Sequence, residues 1–71
     1  MSAVALLRIL ERDLGYRVVR TAGSHRVLEA PGRPRLVFAY HSGQTFPPGL
    51  VRKILVKDVG VVEARALELL R

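Results

Sequence analysis

The amino-acid sequence predicts an α+β fold, a two-layer sandwich of order α-β-β-β-α with an extra C-terminal helix. Three observations predict it. A leucine stripe at helical spacing opens the chain, three short β-rich runs joined by tight turns follow, and two further helical stripes close it. The 71 residues form one domain, residues 1–71, able to bury only about 60% of the unfolded chain's surface.

Residues 3–14 read as an amphipathic helix, with Leu6, Leu10 and Leu14 on one face and Ala3 and Leu7 beside them. Ser2 is placed to cap its start and Gly15 to end it in the left-handed conformation. Tyr16 to Thr21 reads as a strand, rich in β-branched and aromatic residues. Ala22-Gly23-Ser24 is a tight turn, and His25 to Ala30 is a second strand, closed by the turn Pro31-Gly32-Arg33-Pro34. Leu36 to Tyr40 is a third. Strands joined this closely form an antiparallel meander. A loop from His41 to Phe46 leads to Pro47-Pro48-Gly49, where Pro48 suits the first turn of a helix. Leu50, Val51, Ile54, Leu55 and Val59 follow at helical spacing, with Arg52, Lys53 and Lys57 outward, until Gly60 breaks the pattern. Val62, Ala66, Leu67 and Leu70 mark the last helix. Both main helices need the same face of the meander, so its other face stays open unless a partner covers it. The order is that of the double-stranded-RNA-binding fold, which alone fixes no function.

Composition narrows the classes. An apolar share of 49% suits a packed core and argues against disorder. With no cysteine there is neither a disulfide nor a thiolate metal site, and two histidines with six scattered carboxylates suggest no metal centre and no cofactor. No run reaches the roughly 20 apolar residues of a membrane span, and the first residues lack the pattern of a signal peptide. A cytoplasmic protein is expected.

The net charge of +6 is concentrated. Residues 17–57 hold Arg17, Arg20, Arg26, Arg33, Arg35, Arg52, Lys53 and Lys57 against Glu29 and no other acid, a net +7, while the two ends together carry −1. A pI near 11.2 with the excess in the middle of the chain points to a polyanion partner such as nucleic acid. A solvated surface that only aids solubility is the plainer alternative.

Gly15-Tyr16, Arg20, Gly23-Ser24-His25, His41 and Pro48-Gly49-x-x-Arg52-x-Ile54-Leu55 together resemble the pattern of the HicA family, with its spacing kept over most of the chain. Ala39 stands where that family commonly has proline, and Leu50 where it commonly has threonine. The resemblance implies a toxin of a toxin–antitoxin pair, an mRNA interferase neutralised by a HicB-type antitoxin. It also implies that His25 is the essential residue.

RNA carries its own nucleophile, the 2′-hydroxyl, so its cleavage asks for a base, an acid and charge stabilisation. Histidine suits the first two because it titrates near working pH. His25, directly after a glycine turn, is the catalytic candidate, acting without a metal. Gly23 and Ser24 would let the backbone and a hydroxyl meet a phosphate. Arg20, Arg26, Arg52 and Lys53 are candidate RNA-backbone contacts, the last two at the opening of the second helix. His41 is either the complementary acid or a loop histidine in a turn. Arg33 and Arg35 read as charges guarding a strand edge, and Tyr16 and Phe38 as core. Two other functions fit the same residues: a non-catalytic double-stranded-RNA-binding module, or a protein whose basic surface meets an acidic partner.

Overall fold

Helix α1 (Ala3–Arg12) starts at Ser2, whose hydroxyl accepts the Ala5 N–H at 3.0 Å, in a computed structural model that describes residues 1–71. Ala3, Leu6, Ile9 and Leu10 form its buried stripe. Gly15 ends the turn beyond it at φ +76°, and Tyr16 N–H reaches back to Leu10 O at 2.9 Å.

Strands β1 (Arg17–Ala22), β2 (His25–Glu29) and β3 (Leu36–Ala39) form one antiparallel sheet in the order β1-β2-β3. β1 begins a residue later than the sequence suggests because Tyr16 turns inward. Its ring is buried and its hydroxyl donates to Pro34 O at 2.7 Å. Burial raises the Tyr16 phenol pKa, and the nearby Arg33 guanidinium lowers it part of the way back. Alternation along β2 and β3 points Leu28, Leu36 and Phe38 at the helices and His25, Glu29 and Val37 away from them. β1 is exposed along its whole length and carries a bulge between Val18 and Arg20.

Helix α2 (Pro48–Lys53) opens at a proline, as expected, then widens into a π-helical segment, Ile54–Val59. The sequence suggests a regular helix here. The buried residues Val51, Leu55 and Val59 are spaced by four, slightly more than the 3.6 residues of an α-helical turn. A wider turn keeps all three on the sheet. Gly60, at φ +88°, closes this segment as Gly15 closes α1, with Val61 N–H reaching Leu55 O at 2.9 Å. Helix α3 (Glu63–Leu69) follows.

One core of 14 residues joins both layers, among them Leu6, Leu10, Leu28, Phe38, Val51 and Leu55, and no polar side chain is buried in it. The start of the chain pairs with the loop before α2, through Phe46 N–H to Met1 O at 2.8 Å and Ala3 N–H to Gln44 O at 2.9 Å. No helix is long and apolar enough to cross a membrane.

Candidate functional site

The open face of the sheet is where the chemistry-bearing residues gather. His25 begins β2 and is exposed. Its cross-strand partners are Ala22 on β1 and Ala39 on β3, so the residues directly opposite it carry only methyl groups. The alanine at 39 therefore has a visible consequence: β3 keeps a small side chain and an intact pair beside His25.

Gly23 and Ser24 are the two loop residues of the β1–β2 hairpin, closed by the Ala22–His25 pair. Gly23 has φ +59° while no other residue type in the chain has positive φ, the pattern of a type II′ turn with glycine first. A Cβ at Gly23 would meet nothing within 4 Å. Backbone conformation, not lack of space, demands the glycine. The Ser24 carbonyl fastens the turn to β3 by accepting Tyr40 N–H at 3.2 Å, and it accepts Arg26 Nη1 at 3.2 Å as well.

The cations divide. Arg20 pairs with Val27, two residues from His25, and so shares the open face. Arg26 lies on the other face, 4.3 Å over the Tyr40 ring, which packs edge-on against Phe38 at 5.5 Å. Its guanidinium braces the turn that carries His25 and does not line the same surface. Arg52 and Lys53 do not open the second helix. They occupy its last turn, because the helix begins at Pro48 with Pro47 as a cap that makes no side-chain hydrogen bond. Both are engaged, Arg52 with Glu63 and Lys53 with Asp58 at 3.3 Å. Lys53 lines a groove of about 280 Å³ beside β3, together with Phe38, Leu50 and Ile54.

His41 lies two residues beyond Ala39, the partner of His25, so both histidines belong to the same end of the sheet. Its backbone N–H donates to Gln44 Oε1 at 2.9 Å, and Gln44 N–H returns to His41 O at 3.0 Å, closing a turn with Gly43 at φ +77°. Neither imidazole is engaged by a side-chain hydrogen bond or ion pair. His25, Arg20, Gly23, Ser24 and His41 thus come together, and Arg52 and Lys53 stand apart. No three histidine or carboxylate side chains lie together in a metal-holding group.

Sequence reasoning missed Gln44, which shapes the His41 turn, and Glu63 and Asp58, which engage the helix cations. Gln44 had a signal, three residues after His41 with glycine between. Glu63 had none.

A family model described as the HicA toxin of bacterial toxin-antitoxin matches residues 5–61, a span that contains every residue of this site. No curated protein and no solved structure matches the chain.

Proposed function

The chain belongs to the HicA toxin family, and from that premise we propose that it is an endoribonuclease, an mRNA interferase whose reaction runs through His25. One observation carries the reading: a histidine left uncovered between two alanines on the open face of a basic sheet. In the reaction His25 takes the 2′-hydroxyl proton as that oxygen bonds to phosphorus, or protonates the departing 5′-oxygen as the P–O bond breaks. His41, at the same end of the sheet, is the candidate for the complementary transfer. The products are a 2′,3′-cyclic phosphate and a free 5′-hydroxyl, and no metal is required for this route. Arg20 supplies positive charge where the phosphorane gathers negative charge. Gly23 and Ser24 hold the turn beside it. A HicB-type antitoxin would restrain the activity by covering the same face.

The test uses the purified chain, freed of antitoxin and kept in EDTA, on a structured RNA. His25→Ala should lower the cleavage rate by about 10²–10⁴-fold, the usual worth of a general acid or base, while the thermal midpoint holds. Equal cleavage by both proteins would sink the assignment. Binding without cleavage by either would mark a non-catalytic RNA-binding module.

A further inference from the structure

At the end of the sheet away from His25, Arg17, Arg33 and Arg35 line an open concavity of about 740 Å³ with Gly15, Pro31 and Glu29. They come from the start of β1, the β2–β3 turn and the approach to β3. The sequence gives two of these arginines a guarding role on a strand edge, and the cleavage reading uses none of them. We propose that this concavity is a second RNA contact, a phosphate-binding site that holds the strand whose scissile bond lies at His25.

The three guanidiniums are poised differently. Arg33 is fixed, since its Nε donates to Leu14 O at 3.2 Å, and its two terminal nitrogens remain available. Arg35 is oriented by Glu29, with Nε 3.6 Å from the carboxylate and both side chains more than half exposed. Arg17 makes no hydrogen bond or ion pair. Glu29 is the only acid in the lining, and three cations against it leave the concavity net positive. Planar guanidinium forks match phosphate oxygens two at a time.

The distance from the arginines to His25 suits an RNA strand. Arg17 pairs with Glu29, and Glu29 ends the strand that His25 begins, on the same open face. Four residue steps of β2 cover about 13 Å at ~3.3 Å each. That is the axial rise of roughly four stacked nucleotides. Val37, 68% exposed, lies between the two ends and offers bases an apolar floor. One strand can therefore span from the arginines to His25.

This site rests on the reading of the chain as RNA-acting, and its test separates the two. R17Q/R35Q spares Arg33 and its bond to Leu14 O, and is made in a His25→Ala background that binds without cutting. R65Q/R71Q removes two exposed cations elsewhere and serves as the control. Binding of a single-stranded 12-nucleotide RNA is titrated between about 50 and 200 mM salt. Each lost phosphate contact lowers the slope of log K against log salt by about 0.7, so R17Q/R35Q should lower it by about 1.4. The control should lower it by less than half as much. Equal slopes for the two variants would overturn the second site and leave the cleavage reading untouched. No RNA binding by the His25→Ala parent would overturn both. Unchanged RNA binding with lost antitoxin binding would assign the concavity to an acidic protein instead.

Discussion

The two faces of the sheet are built from the same three strands and have opposite chemistry. On the covered face Leu28, Leu36 and Phe38 pack with α1 and α2 into a core without a buried polar side chain. On the open face Arg17, Arg20 and His25 stand beside alanines and exposed valines. Leu28, Leu36 and Phe38 face inward and Arg17, Arg20 and His25 outward because strand side chains alternate. The lesson is that stability and chemistry are separable here at single-residue resolution. Neighbours on one strand, such as Leu36 and Val37 or Arg26 and His25, answer to different demands.

The largest stability effect should therefore come from the covered face. Leu28 is fully buried, and Leu28→Ala removes contacts that the surrounding core cannot wholly replace. A loss of about 2–5 kcal/mol is expected, read as a lower urea midpoint at unchanged slope. For a domain this small, that is a large part of the total. A loss below about 1 kcal/mol would mean that the core closes over the gap, and that the two faces differ less than their burial suggests.

Next comes the turn that joins the two chemistries. Gly23→Ala forces an L-residue to φ +59° and should cost about 1–2 kcal/mol, with cleavage falling as His25 loses its fixed start to β2. A D-alanine at the same position, accessible by chemical synthesis, should restore both because it prefers the positive φ that Gly23 adopts. Failure of the D-residue to restore cleavage would show that a side chain there obstructs RNA.

Tyr16→Phe should cost about 1 kcal/mol through the lost hydrogen bond to Pro34 O. The pH dependence has a definite sign. The folded phenol has a pKa raised by burial, so the unfolded chain loses that proton first as pH rises. Its contribution to stability is complete below the ordinary tyrosine value near 10 and disappears as pH climbs through the folded value. Tyr16→Phe should therefore flatten the alkaline fall in the thermal midpoint relative to the parent.

Much of this division was legible in the sequence. Glycine and proline turns placed all three strands to within a residue or so, and Gly-Ser-His between two strands placed the candidate catalyst. What was not legible depends on partners distant in the chain or on hydrogen-bond pitch. Arg26 reads as an RNA contact until strand register brings it over Tyr40. Lys53 and Asp58 are five apart, and α-helical side chains meet at three or four. Only the wider π turn explains their 3.3 Å approach. The tie between Arg52 and Glu63 crosses from one helix to the next and leaves no periodic trace.

The smallest expected stability effect is at Val37, and it probes the open face most directly. Val37 is 68% exposed midway along β3, an edge strand of that face where lysine is well tolerated. Val37→Lys should change stability by less than about 0.5 kcal/mol, as surface substitutions usually do. It adds one cation between the arginine concavity and His25. If RNA crosses this face, the slope of log K against log salt should steepen by about 0.7, one further phosphate contact. The same charge added at Val62, 71% exposed just before α3, should leave the slope closer to the parent's. Equal effects at the two valines would mean that RNA senses only net charge. A steeper slope for Val37→Lys alone would place the strand on the sheet, where the uncovered histidine lies.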